Sequence, residues 1–125
     1  MENRGFDFRI AMQNRTKQFA LRIIKLYQAL PKTGEAQLIG NQLFRAGTAV
    51  GSNYRAACRA RSSKEFFSKL SIVIEEADET MFWLELLGES EIIKTSLLQD
   101  LLNETEEILK IFVTARKTMN QSKNN

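Results

Sequence analysis

With 125 residues, 43% of them hydrophobic and 26% charged, the chain has the length and composition of one globular domain, not of a disordered, collagenous or disulfide-framed one. It carries no His and a single Cys, Cys58, which excludes Ser-His-Asp and Cys-His catalysis, carboxylate-plus-His metal sites and an internal disulfide within one chain. The net charge of +3 conceals blocks: residues 1–73 carry 13 Lys/Arg against 4 Asp/Glu, residues 74–109 carry 1 against 11, and residues 110–125 carry 4 against 0.

One proline, Pro31, and six glycines leave long stretches free of helix breakers, which predicts an all-α chain. Met12, Thr16, Phe19, Ile23, Leu26, Tyr27 and Leu30 recur at three and four, so a first helix is expected over 11–30, ended by Pro31. Thr33 is the expected N-cap of a second helix over 34–60, with Glu35 favourably placed in its first turn. Its apolar positions, Leu38, Leu43, Ala46, Ala49, Val50, Ala57 and Ala60, are mostly small, which permits close approach to a neighbour. Ser62-Ser63-Lys64-Glu65 reads as a capping box, with Ser62 and Glu65 in reciprocal hydrogen bonds at the start of a third helix over 63–87.

That helix carries Phe66, Leu70, Val73, Ala77, Met81 and Leu84 on one face, and Gly88 is the expected C′ residue beyond its end. Ser90 caps a fourth helix over 91–119, with Leu97, Leu98, Leu101, Leu102, Thr105, Ile108, Leu109, Phe112 and Met119 at helical spacing. The polar tail 120–125 is expected to be disordered. Short connections make neighbouring helices antiparallel, so the expected architecture is one up-down-up-down four-helix bundle filling residues 1–125. The first ten residues hold Glu2, Arg4, Asp7 and Arg9 where a secretory signal needs an apolar run, and no apolar stretch nears the roughly 20 residues that span a bilayer. A cytoplasmic protein with no membrane partner is expected.

Some features exceed the needs of a monomeric bundle. Ile72, Phe82, Trp83 and Leu86 fall opposite the Leu70/Ala77 face of the third helix and read as a subunit interface. Gly47 and Gly51 form a small-x-x-x-small pair on the side of the second helix that carries Tyr54. They call for close helix approach, either inside the bundle or between subunits, and with Tyr54 they are assigned to the interface. Asn53, between Val50 and Ala57, reads as a buried polar residue with a structural, register-setting role. Arg45, Arg55 and Arg59 form a stripe along the second helix, continued by Arg61 and Lys64, that suits phosphate contact. The same stripe also suits pairing with acids of the third helix. Glu75, Glu76, Asp78 and Glu79 lack the His partners of bundle di-metal sites, so no metal and no cofactor are expected.

Gln42-Leu43-Phe44-Arg45-Ala46-Gly47-Thr48-Ala49-Val50-Gly51-Ser52-Asn53-Tyr54-Arg55, then Arg59-Ala60-Arg61-Ser62-Ser63-Lys64-Glu65-Phe66, then Glu76-Ala77-Asp78-Glu79-Thr80 with Trp83-Leu84-Glu85-Leu86-Leu87 resemble the four-helix-bundle proteins of the 23S rRNA-intervening-sequence family. The likeness runs from about Phe19 to Met119. It implies a non-enzymatic bundle that assembles as a homo-oligomer, typically a pentameric ring, and binds nucleic acid, RNA or DNA. Many members carry an acidic residue shortly after the Asn, where this chain has Ala56, so no role for that carboxylate carries over. The alternative to nucleic-acid binding is a protein-interaction scaffold or accessory subunit.

Overall fold

The computed structural model describes the backbone of residues 4–124 and the side chains of residues 5–120. Four helices follow one another, α1 (Arg4–Ala29), α2 (Gly34–Cys58), α3 (Ser63–Glu89) and α4 (Thr95–Asn124), with no strand among the described residues. Each packs antiparallel against its neighbour in sequence, α1 on α2, α2 on α3 and α3 on α4, while the backbones of α1 and α4 scarcely approach.

Local chemistry sets the helix limits. Thr33 accepts a hydrogen bond from the Ala36 amide at the start of α2. Ser62 accepts from the Glu65 amide at 3.1 Å at the start of α3. The reciprocal arm of the expected capping box shifts by one residue, because the Glu65 carboxylate accepts from the Arg61 amide at 3.2 Å and not from that of Ser62. Several expected limits are corrected. Among the described residues α1 is helical from Arg4 and not only from near residue 11, since no proline or turn interrupts residues 4–10. α4 begins at Thr95, because Ser90 instead closes α3 as its C-cap. Helix continues to Asn124 where a disordered tail was expected from 120, and Asn125 lies outside the described residues.

Gly88 is also not the residue past the end of α3. It lies in the last turn, where an added Cβ would stand 3.1 Å from Thr95 Oγ1 and 3.4 Å from Leu98 Cδ1. Its smallness admits the start of α4, and Glu91, the one non-glycine among the described residues with positive φ, at 63°, makes the turn.

The core is apolar and continuous, with Phe19, Ile23, Leu43, Val50, Tyr54, Leu70, Val73, Leu84, Leu87, Leu98, Ile108 and Phe112 all fully or almost fully buried. Burial of a Leu, Ile or Phe side chain contributes roughly 1.5–3 kcal/mol, so these residues dominate the driving force. Thr16, Thr80 and Thr105 sit among them, and each hydroxyl donates to the carbonyl four residues back, those of Met12, Glu76 and Leu101. The inward face of α2 is Ala36, Gly40, Leu43, Ala46, Gly47, Val50, Tyr54 and Ala57. Leu38, expected on that face, is 71% exposed, and Leu97 on α4 is 75% exposed. Both lie out of phase with the buried residues that flank them.

Gly47 and Gly51 set the spacing of α1 and α2. A Cβ at Gly47 would fall 2.7 Å from the Ile23 side chain, and one at Gly51 would fall 3.2 Å from the Thr16 carbonyl oxygen. The helix pair therefore closes inside the bundle, which accounts for the two glycines without a subunit contact. The opposite seam is wide. There Arg15 of α1 spans to α4, donating from Nε and Nη2 to both oxygens of Glu104 at 2.9 and 2.7 Å, with Glu107 at 2.9 Å from the same Nη2.

Candidate nucleic-acid interface

The five cations singled out on and after α2 do not form one surface. Arg45 reaches across to α3, where it donates to Glu76 at 3.1 Å and to Glu79. Glu79 also accepts from the Trp83 indole Nε1 at 3.0 Å. The indole hydrogen bond first, and then Arg45, hold the Glu79 carboxyl below the ordinary carboxylate range. Arg45 is thereby neutralised within the chain. This part of the stripe takes the acid-pairing arrangement and not the phosphate-binding one.

The other four lie at one end of the bundle. Arg55 is in the last turn of α2, Arg59 is its C-cap, Arg61 is in the α2–α3 connection and Lys64 is in the first turn of α3. All four are exposed, and no Asp or Glu among the described residues lies within ion-pairing distance of their side chains. Antiparallel packing adds cations from α1 that the linear pattern did not point to. Lys17 and Gln13 join Arg55, Thr48 and Ser52 around a shallow cleft of about 270 Å³ between α1 and α2, floored by Gly51. Arg9 meets Arg61 around a second and larger cleft of about 600 Å³ at the tip of the bundle. Phe8 and Phe66 also line it. The sequence signal for these residues was present, since Phe8 and Met12 continue upstream the four-residue step of Met12 and Thr16.

The expected interface residues divide in the same way. Tyr54 is fully buried and stacks on Phe112, with ring centroids 4.7 Å apart, so it belongs to the core and is no surface residue. Gly47 and Gly51 face α1, as described. On the outer face of α3, Ile72 is 41% and Phe82 53% exposed, while Trp83 and Leu86 are half-buried. Phe82 and Trp83 meet edge to face at 4.9 Å. Asn53 is half-buried and spends its amide on the Ala49 carbonyl of its own helix at 2.9 Å, so it makes no cross-helix bond that would set register.

Among the described residues no group of His, Cys, Asp and Glu is placed to hold a metal ion, and no helix is long and apolar enough to cross a membrane. Cys58 is a free thiol on the wall of the tip cleft. With no titratable base beside it, it packs as a small side chain.

The sequence matches the family model described as 23S rRNA-intervening sequence protein over residues 9–114. Among solved structures it is similar to a protein of unknown function from the S23 ribosomal protein family of Bacteroides thetaiotaomicron VPI-5482, with 34% identity and a TM-score of 0.81. That alignment covers 87% of this chain and 97% of the other. A search of curated proteins finds no match. Because the family match takes in most of α1, all of α2 and α3 and most of α4, the chain belongs to the 23S rRNA-intervening sequence protein family.

Proposed function

We propose that this protein is a cytoplasmic, non-enzymatic, homo-oligomeric bundle that binds the backbone of RNA or DNA through the cationic tip formed by Arg55, Arg59, Arg61 and Lys64. The observation that carries the reading is that these four exposed side chains have no carboxylate partner among the described residues, whereas Arg45 on α2 is paired with Glu76 and Glu79. Lys17 and Arg9 extend the same surface onto α1. Each cation on a phosphate releases counterions, so affinity falls with salt and depends little on sequence.

The test is retention of labelled RNA and DNA on a filter at rising salt. With four phosphate contacts the logarithmic slope is about −3.6, which is roughly a hundredfold loss between 50 and 200 mM salt. Absence of any retention at the lowest salt overturns the reading.

The half-buried Trp83 and Leu86 and the exposed Ile72 and Phe82 support assembly through the outer face of α3, and the family resemblance points to a five-membered ring. Assembly would array several cationic tips and raise avidity for a long polyanion. Light scattering coupled to size exclusion should give a mass several times that of the 14.3 kDa chain. A monomer in that measurement would instead leave the α3 face for a different protein.

A further inference from the structure

The tip cleft contains chemistry that backbone contact alone does not use. Cations suffice for phosphate, yet here an open cleft of about 600 Å³ lies between α1, the α2–α3 connection and α4. This lies within the roughly 300–1,000 Å³ of pockets that hold small organic groups. Its walls are aromatic on two sides. Phe8 is 39% exposed, and the half-buried Phe66 ring carries the Arg9 guanidinium 5.5 Å from its centroid. This distance is that of a cation–π contact, which places the Arg9 charge on the aromatic wall.

The other wall is polar and carries positive charge. Arg61 lines the cleft beside Ser62 and Ser63, where the N-terminus of α3 opens, and no carboxylate lines it among the described residues. Tyr54, one helical turn before the cleft-lining Cys58, is fully buried, and its hydroxyl has no hydrogen-bond partner among the described residues. Burial first, and then the neighbouring Cys58 thiol, raise the Tyr54 phenol above its ordinary value. Cys58 and Arg9, the two groups whose fields reach it, both line the cleft. A cleft that combines aromatic rings with cations matches an occupant that is planar at one end and anionic at the other.

Resting on the nucleic-acid reading above, we infer that this cleft takes one unpaired base of a single-stranded RNA or DNA. The base stacks against Phe8 and the Arg9 guanidinium that lies over Phe66, and the adjoining phosphates meet Arg61 and the first turn of α3. Every base has a π face, so the contact tolerates sequence. In a duplex those faces are covered by neighbouring bases, so the cleft discriminates single strands from duplexes.

The experiment is fluorescence polarisation at one fixed salt concentration, with a labelled single-stranded oligonucleotide and a blunt duplex of the same sequence. Wild type, Phe8→Ala and Phe8→Trp are compared, with circular dichroism to check helix content. Phe8 is partly exposed, so both variants should fold. The expected result is about a tenfold loss of single-strand affinity in Phe8→Ala, under a twofold change for the duplex, and recovery in Phe8→Trp. Equal effects on both ligands, or no effect on either, overturn the base cleft and leave backbone binding standing. Wild type that binds neither ligand overturns both.

Discussion

The two ends of the bundle carry opposite charge. Cut at mid-height, the end made of residues 5–16, 48–75 and 110–120 has ten Lys/Arg against three Asp/Glu, and the end made of 17–47 and 76–109 has six against eleven. Neither a net charge of +3 nor the three linear blocks shows this division. An antiparallel bundle places the first half of α1 beside the second half of α2, so the charge of an end sums alternate halves of successive helices. At the acidic end Arg45 is paired with both Glu76 and Glu79. At the basic end acids are scarce, and Arg55, Arg59, Arg61 and Lys64 are left for an outside anion. Along the α2 stripe, whether a cation is paired thus depends on which stretch of α3 it faces.

The comparison breaks most readily by inverting the basic end. Joint substitution of Arg59, Arg61 and Lys64 by Glu should lower nucleic-acid affinity by at least about a hundredfold at low salt, with the helical signal retained. Filter binding beside circular dichroism reads both, and a variant that still binds would show that the tip is not the site. Next in size is the seam that joins the two ends. Gly47→Val drives a branched side chain into Ile23 and should cost about 2 kcal/mol or more, a fall of several degrees in Tm by thermal denaturation.

Smaller still is the α1–α4 clasp at mid-height. The hydrogen bond from Arg15, ahead of its charge, holds the Glu104 carboxyl below its ordinary range. A carboxylate with a lowered folded pKa contributes stability that is complete above its unfolded value of about 4.3 and is lost as pH falls through the lowered value. Glu104→Gln should therefore cost about 1 kcal/mol near neutral pH. The gap from wild type should close as urea denaturation is repeated below about pH 4. The smallest effect belongs to the acidic end. Arg45→Ala should change nucleic-acid affinity by less than about twofold and leave the salt slope unchanged, since a cation already paired releases few counterions. A steeper loss would mean that both ends of α2 take part.

The parts of this molecule legible in the sequence were those governed by local chemistry. Pro31, Thr33 and Ser62 act on their own turns, and each helix existed where apolar spacing placed it. Features set by a neighbour were harder to read. Gly88 looks like a helix terminator but is a gap left for Thr95 and Leu98, which only the path of α4 reveals. Gly47, Gly51 and Tyr54 share a side of α2, and whether that side meets α1 or another subunit is decided by packing alone. The stripe from Arg45 to Arg59 is uniform on a helical wheel, yet α3 divides it by presenting Glu76 and Glu79 at one height only. Phe8 and Arg9 went unread because they stand upstream of the expected start of the first helix, and their meeting with Phe66 and Arg61 spans more than fifty residues of chain.

The wide α1–α4 seam bears on how the chain reaches this fold. Its three close backbone seams join helices adjacent in sequence, through connections of four or five residues at 30–33, 59–62 and 90–94. Closing such short loops costs little entropy, and the low contact order that results is characteristic of folding in microseconds to milliseconds. The α1–α4 seam is the exception, since the Arg15 clasp onto Glu104 joins residues 89 positions apart in the chain.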